Sequence, residues 1–280
     1  MISNTDKLTP AEYHADPRVT ASQLAVFRRS KRLYYERYIA KSLPQDTSPR
    51  LELGSAIHTR VLEPDRFATD VAVAPLVDRR TVKGRETFAA FESEARAAGK
   101  IIIDAKQAAT VEAVAKAISE VPLARFLVNA SGPVEEPVFW TDETTGLECK
   151  CRPDKRLTSQ ATVIDLKSSS DGSEWAFQKA LMAFNYAQAS RHYSAGCEAE
   201  RFVWLVVDVE PPHEVHLYEL EQRSVEAAEQ RYRAVLSELA TAIETGDWGL
   251  TPQSIQPLSL PAWAMPKPAT CLESVSERGI

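Results

Sequence analysis

The chain has 280 residues, of which 44% are hydrophobic and 26% are charged, and its formal net charge is −6 at pH 7. This composition is typical of a globular protein with a sizeable core, and the acidic balance argues against a simple nucleic-acid coat protein. No run of about 18 apolar residues occurs, which excludes a transmembrane helix, and the N-terminus lacks the pattern of a secretory signal. We therefore expect a cytoplasmic protein without a membrane partner.

The four cysteines do not follow the spacing of a metal site or a disulfide framework. Cys149 and Cys151 are spaced as C-x-C rather than the C-x2-C of zinc sites, and the other two cysteines are distant in sequence. We therefore expect neither structural zinc nor an iron–sulfur cluster.

The N-terminal half has the periodicity of helices. A first helix is predicted over 20–39, capped by Thr20 or Ser22, and a second over 53–63. Residues 68–83 indicate short extended pieces and a basic turn. The pattern then predicts, in chain order, a helix over 85–98 with Gly99 after it, a strand over 100–104 and a helix over 105–121.

From residue 135 the pattern changes to alternation. Residues 135–169 contain two polar turns, TDETTG and TSQA, and predict a three-stranded antiparallel meander. The remaining predicted elements are a helix over 174–195 ended by Gly196, strands over 201–210 and 213–220, and a last helix from Ser224 to Gly246.

These elements predict an α/β fold, with a mixed and mostly antiparallel sheet of about five strands flanked by helices. We expect a single domain over 1–250 with a helical N-terminal part. Five prolines follow residue 250, so 251–280 is predicted to be a Pro-rich tail. This tail, with its Trp263, is expected to dock a partner, to pack along an assembly or to be disordered.

The hairpin within 150–170 carries the first candidate site. If its turn is centred between residues 159 and 160, residue 157 faces 162 and Asp154 faces Asp165, with Cβ atoms about 5 Å apart. Lys167 then shares a face with Asp165, while Ile164 and Leu166 point into the core. Two opposed carboxylates suit a hard divalent cation such as Mg²⁺. A surface ion pair is the alternative that the hairpin alone leaves open.

Two basic clusters are candidates for binding a polyanion. They are RRSKR over 28–32, with Arg28, and DRRTVKGR over 78–85, with Lys83 and Arg85. Local clusters steer an anionic partner more strongly than net charge does, although a solvated surface explains such clusters equally simply.

Several segments, taken in order, resemble the PD-(D/E)xK nuclease superfamily, whose core is restriction-endonuclease-like. They are LGSAIHTRVLEPDRF, the RPD before the hairpin, VIDLK and NYAQASRHYSAG. Within the superfamily they are most similar to the RecE-like phage exonucleases, which are related to lambda exonuclease and to RecB nuclease domains. The resemblance extends from about residue 12 to residue 263.

The resemblance implies a set of site residues around a divalent metal. Asp154 and Asp165 match the metal-binding acids, Lys167 the catalytic lysine, and His58 the helix residue that completes the metal site. The main-chain carbonyl of Leu166 is implied as a further ligand. The implied cofactor is Mg²⁺, for which Mn²⁺ is expected to substitute.

The resemblance also implies a phosphate pocket. Ser22 matches a residue that holds the 5′-phosphate of the strand being cut, and Arg152 lies where a guanidinium lines that pocket. Glu135 matches an acid of related nucleases, and the sequence is equally compatible with a structural role and a functional role for this residue.

One helix departs from the family pattern, which is Gln-x-x-x-Tyr. Gln188 is followed at i+4 by His192, and Tyr193 comes one residue later. Either Gln188 keeps the catalytic role, or Tyr186 and Tyr193 line the site.

By resemblance, the function is a Mg²⁺-dependent 5′→3′ exonuclease acting on ends of double-stranded DNA, encoded by a phage or prophage and active in the bacterial cytoplasm. It would leave 3′ overhangs for a single-strand annealing protein and assemble as a trimeric or tetrameric ring. The alternatives are a structure-specific or restriction-type endonuclease of the same superfamily, and a catalytically silent DNA-binding scaffold. Nucleases with an iron–sulfur cluster need a cysteine before the nuclease motifs, and none precedes Cys149.

Overall fold

The computed structural model describes residues 10–44, 50–249, 255 and 257–259. The chain divides into a unit of residues 1–248 and a second unit of residues 249–280. Of the predicted Pro-rich tail, only residues 255 and 257–259 are described, so that the prediction for Trp263 lies outside the described residues.

The N-terminal part is built from helices and one pair of short strands. The helices are α1 Pro10–Ala15, α2 Ala21–Arg29, α3 Lys31–Tyr34 with a π turn over Tyr35–Ile39, α4 Arg50–Leu62, α5 Pro64–Asp70, α6 Val82–Ala97, α7 Ala105–Glu120 and α8 Pro122–Asn129. Between them, strands β1 (Val71–Val73) and β2 (Ile101–Ile103) pair in parallel.

The C-terminal part contains the main sheet. Its elements are β3 Val138–Thr141, β4 Glu148–Cys151, β5 Lys155–Leu157, β6 Thr162–Ser169, α9 Glu174–Ala183, α10 Tyr186–Cys197, β7 Arg201–Asp208, β8 Val215–Tyr218 and α11 Gln222–Thr245. Strands β5, β6, β7 and β8 form one sheet in that order, in which only the β6–β7 pair is parallel. The predicted α/β class, with a mixed and mostly antiparallel sheet flanked by helices, is confirmed.

Strand β6 lies in the middle of the molecule because both of its faces are covered. Ile164 and Leu166 are fully buried in a cluster with Ile57 of α4 and with α7. Val163, on the opposite face, packs with Trp204 in another cluster. This alternation confirms the prediction that Ile164 and Leu166 point into the core, opposite Asp165 and Lys167.

The predicted three-stranded meander is wrong. Strands β3 and β4 form a separate two-stranded hairpin, and β4 does not pair with β5. Pro153 lies between these strands and has no N–H for a ladder hydrogen bond, so the chain changes sheets there. The main sheet therefore has four strands rather than five.

Three helix predictions are also wrong, because two predicted helices are interrupted and a third begins earlier than predicted. The helix over 20–39 is interrupted at Ser30, whose hydroxyl accepts a hydrogen bond from the N–H of Leu33 and starts a new helix. The helix over 174–195 is interrupted at Asn185, which adopts a left-handed φ of 57°. The last helix has Glu221 at its N-cap position, without a capping hydrogen bond from its side chain, and Ser224 lies inside its first turn.

Gly196 lies inside α10 rather than at its end. The glycine allows close packing there, because a Cβ atom at this position would lie 2.4 Å from Cζ3 of Trp140. The sequence pattern predicted that the helix ends at Gly196. The structure instead requires glycine at this position because a larger residue would clash with Trp140.

We expect one buried histidine of α10 to make stability depend on pH. His192 has no exposed surface, and burial lowers its pKa to about 4 although a hydrogen bond to the backbone of Lys150 works the other way. In the unfolded chain a histidine titrates near pH 6.5. The contribution is thus fully present above pH 6.5 and is lost as pH falls toward 4, by about 3 kcal/mol in total.

Urea unfolding between pH 7.5 and 4 measures this effect in the parent chain and in His192→Gln. The variant is expected to lose less stability than the parent chain across that window. Equal losses in both proteins would show that other groups cause the acid sensitivity.

Candidate metal centre

The β5–β6 hairpin places the two predicted acids next to each other. Leu157 faces Thr162 and Lys155 faces Ile164, which is the register predicted from the turn. Asp154 immediately precedes β5, and its Oδ2 accepts a hydrogen bond of 2.6 Å from the N–H of Leu166. Asp154 is therefore anchored to the same strand that carries Asp165.

His58 and Glu135 complete a group of possible ligands with Asp154. The imidazole Nδ1 of His58, on α4, lies 3.5 Å from Oδ2 of Asp154. One ligand atom each from His58, Glu135 and Asp154 lies within 4.8 Å of the others. Glu135 reaches this position with a left-handed φ of 50°, and its N–H donates to the carbonyl of Asp154 at 3.2 Å.

Lys167 and Asp165 form a partly buried ion pair beside this group. Nζ of Lys167 lies 2.5 Å from Oδ2 of Asp165. The same ammonium lies 5.3 Å from the ring centre of Tyr186, and the phenol of Tyr193 is close enough to be affected by the charge of Asp165. The structure thus brings Tyr186 and Tyr193 to the site, seven residues apart on one face of α10.

The electrostatics of the site favour a cation. Burial and the charge of Asp154 raise the pKa of Asp165, while Lys167 works against that rise. Burial and the same charge raise the pKa of Glu135 to about 7, although Arg152 lies 2.9 Å from its carboxylate. A divalent cation would neutralise this crowd of carboxylates, of which Asp165 and Glu135 have a raised pKa, so the residues fit a metal.

Lys167 keeps its positive charge despite its position. Burial alone lowers the pKa of an ammonium, but the charges of Asp165 and Asp154 outweigh burial and raise the pKa of Lys167. The structure therefore provides a charged lysine directly beside the acids.

The predicted ligand set and the observed group overlap but are not identical. His58 and Asp154 belong to both sets. Glu135, for which the sequence left the role open, lies within the group, whereas Asp165 is not part of it and its carboxylate pairs with Lys167. Leu166 lies on β6 between Asp165 and Lys167, and its carbonyl remains a predicted ligand.

A second set of possible ligands lies at the ends of β7 and β8. It consists of Asp208, Glu214 and His216. Glu214 is largely exposed, and this set is separate from the residues that the sequence predicted.

The predicted phosphate residues line a cavity of about 240 Å³ at the N-terminus of α2. Ser22 and Arg152 are on its wall, as are Lys150 and His14, for which the sequence analysis made no prediction. Lys150 could have been recognised, because it precedes Arg152 by two residues and so shares a face of the chain. Its side chain is 2% exposed, and Nζ donates to the carbonyl of Asp16 at 2.8 Å.

Four predicted residues are not brought to the acids. Gln188 is two residues after Tyr186, about 200° around the helix, and it lines a different cavity together with Arg28. Lys83 and Arg85 are exposed in the first turn of α6, where Arg85 donates to the carbonyl of Arg80. The alternative in which Tyr186 and Tyr193 line the site agrees with the geometry better than a role for Gln188 and His192 does.

The central four-stranded sheet and the acids beside a lysine on β6 define the PD-(D/E)xK class of nuclease-like proteins. The chain belongs to the family described as PDDEXK-like domain of unknown function (DUF3799), whose model matches residues 20–254. The resemblance to the superfamily seen in the sequence is therefore confirmed.

One solved structure supports the fold. A crystal structure from Eubacterium rectale, named "Putative exonuclease", has a TM-score of 0.58 at 11% sequence identity, and the match covers 86% of this chain and 88% of that chain. The structure of SSO0001 matches with a TM-score of 0.29 at 12% identity, covering 66% of this chain and 85% of that chain, and is too different to support any argument. Among curated proteins, no relative matches the chain.

None of the helices in the described ranges is long and apolar enough to cross a membrane.

Proposed function

We propose that the protein is a Mg²⁺-dependent exonuclease that degrades double-stranded DNA from 5′ ends. The observation that carries this proposal is the pairing of Lys167 with Asp165 on β6, next to His58, Glu135 and Asp154. The superfamily match supports phosphodiester hydrolysis in general.

The metal would be held by Asp154, His58 and Asp165, with Glu135 and the carbonyl of Leu166 within the same region. When bound, a divalent cation lowers the pKa of water and neutralises charge on the phosphate. The role of Lys167 is to orient the attacking water and stabilise the charge that develops on the phosphate oxygens. Water forms a new O–P bond, the P–O3′ bond breaks, and the products are a 5′-mononucleotide and a shortened strand.

The direction of cleavage is proposed from the cavity at α2. Arg152 and Lys150 supply positive charge, and Ser22 lies next to the N-cap Thr20, where helix N–H groups favour anions. Arg152 also pairs with Glu135 of the metal group at 2.9 Å, so the cavity and the metal centre share a boundary. A terminal 5′-phosphate in the cavity would place the first phosphodiester at the acids.

The remaining parts of the proposal rest on the resemblance to RecE-like exonucleases. They are a trimeric or tetrameric ring around DNA, a single-strand annealing partner, a phage or prophage origin and Mn²⁺ as a substitute metal. A ring would also concentrate basic residues in its channel while the outside stays acidic, consistent with the net charge of −6.

One cleavage assay tests the function. Linear blunt duplex, labelled on one strand and carrying either a 5′-phosphate or a 5′-hydroxyl, is incubated beside closed circular duplex, with Mg²⁺ or EDTA. We expect mononucleotides from the 5′-phosphorylated linear DNA in Mg²⁺ alone. Nicking of the circle would establish an endonuclease instead, and binding without any cleavage would establish a silent scaffold.

We expect Ser22→Ala to reduce the preference for a 5′-phosphate by about three- to tenfold, because one hydrogen bond of about 1 kcal/mol is lost. The rate on 5′-hydroxyl DNA should stay unchanged. Initial rates on the two substrates give the ratio, with Ser119→Ala on the exposed face of α7 as the control. An unchanged ratio in Ser22→Ala would remove this residue from the phosphate site.

A further inference from the structure

A second cavity, of about 250 Å³, lies on the other side of α10 from Lys167. It is bounded by α9, α10, α11 and the end of α2. The residues that define its chemistry are Arg28, Leu181, Gln188, Leu220, Ser224 and Arg231.

The wall of this cavity carries unbalanced positive charge. Arg28 and Arg231 come from different helices, and neither forms an ion pair with a carboxylate of the described residues. Among the described residues, Arg231 donates a hydrogen bond to the sulfur of Met182 at 3.7 Å, which is a weak acceptor. By contrast, Arg191 and Arg233 nearby are both paired with Glu229. No acidic residue is among the described residues that line the cavity.

Two helices begin at the cavity without a side-chain cap. The N-caps Asn185 of α10 and Glu221 of α11 make no capping hydrogen bond. Ala187 and Ser224, from the first turns of these helices, line the cavity. Both first turns therefore contribute positive dipole ends to the same space.

A buried amide points to a ligand independently of these charges. Gln188 is 5% exposed, and its Oε1 is buried without a hydrogen-bond partner. A buried amide oxygen without a hydrogen-bond partner destabilises the fold, and an apolar residue of the same size would avoid that cost. An amide can instead donate to and accept from the edge of a base.

The remaining wall suits an apolar, flat group. Leu181, Met182, Leu220 and Ala228 supply hydrocarbon surface. The volume equals about eight waters at roughly 30 Å³ each, which is more than a phosphate needs and below the range of about 300–1,000 Å³ for drug-sized ligands.

We propose that this cavity binds one nucleoside monophosphate unit, with its phosphate at Arg28 and Arg231 and its base at Gln188. The inference rests on the proposed nuclease function and adds a second nucleotide site to it. Asn185 and Ala187 line the cavity and flank Tyr186, whose ring contacts Lys167, so α10 lies between the site and the reaction centre. The unit would be either the released mononucleotide or a nucleotide within the DNA strand.

Calorimetry on the Lys167→Ala protein in EDTA tests the site without hydrolysis or metal. The probes are deoxyadenosine monophosphate, inorganic phosphate and a short single strand. We expect the nucleotide to bind at least about tenfold more tightly than phosphate. Binding should weaken about tenfold in Arg231→Ala and in Gln188→Met, as expected for the loss of a charge-assisted or a buried hydrogen bond.

The control is Arg223→Ala, which removes an exposed arginine of the same helix outside the cavity. This variant should bind the nucleotide as tightly as the Lys167→Ala protein does. Binding of the single strand but not of the free nucleotide would assign the cavity to the DNA strand, and binding of both would assign it to the released product as well.

Equal affinity for phosphate and nucleotide, or affinity unaffected by Arg231→Ala, would overturn the inference. If the cavity fails to bind while the parent chain degrades DNA in Mg²⁺, only the second site is refuted. Failure of the parent chain to cleave any DNA would refute the proposed function separately.

Discussion

Replacing Lys167 by alanine is expected to lower the rate of DNA hydrolysis by about 10³-fold while leaving the binding of DNA ends largely intact. The loss should be this large because Lys167 combines a charge near the scissile phosphate with a position next to the reacting water, and such contributions are each worth about 10²–10⁴. Its ammonium also neutralises Asp165 at 2.5 Å, so the variant leaves that buried carboxylate unpaired.

The measurement is the single-turnover rate on 5′-phosphorylated duplex, together with end binding in EDTA. Lys116→Ala is a suitable control because this lysine is largely exposed on α7, where it pairs with Glu120. Cleavage by Lys167→Ala at the parent rate would show that the site assignment is wrong. A parallel loss of binding would instead indicate a folding defect, which thermal unfolding would reveal.

Asp154→Asn is expected to weaken divalent-metal binding by more than 100-fold and to abolish cleavage. The amide can still accept the hydrogen bond from the N–H of Leu166, so the hairpin should keep its geometry. Only the charge is lost, at the residue that contacts both His58 and the backbone of β6. Changes to outer-shell partners of metal ligands already cost about 10–100-fold, and a direct ligand should cost more.

The stability of metal-free Asp154→Asn should change little, because the charge of Asp154 disfavours the ionised forms of Glu135 and Asp165 but favours the charged form of Lys167. Mn²⁺ titration followed by calorimetry and urea unfolding in EDTA measure the two effects. Asp65→Asn, an exposed residue in the first turn of α5, is the control. Unchanged Mn²⁺ affinity in Asp154→Asn would exclude this residue as a ligand.

The hairpin could be predicted from sequence because its information is local. The turn fixes the pairing of Leu157 with Thr162, and the alternation of strand side chains then determines which residues accompany Asp165. The prediction of a meander was wrong at Pro153, because the information that decides the strand pairing there is not local. Whether β4 continues beside β5 depends on which surfaces cover each strand, and that is not encoded in the two segments alone.

The residues of α10 were harder to place. The periodicity predicted one continuous helix from 174 to 195. The break at Asn185 starts a new helix, so the side chains of the second half point in directions that a continuous helix would not give. Gln188 therefore lies away from Lys167 while Tyr186 and Tyr193 lie near it. Likewise, the contact between Glu135 and Arg152 joins two segments across a separate hairpin, and residue patterns alone gave no reason to expect it.

The central position of β6 has a consequence for motion. Its backbone pairs with β7 along its whole length and with β5 over residues 162–164, and apolar clusters cover both faces. The amide hydrogens of such a strand exchange with solvent only when the whole domain unfolds, because no local unfolding exposes them. Hydrogen exchange should therefore find Asp165 and Lys167 among the slowest amides, so that the rigid part of the protein holds the acids and the proposed DNA substrate would be accommodated by movement of the surrounding helices.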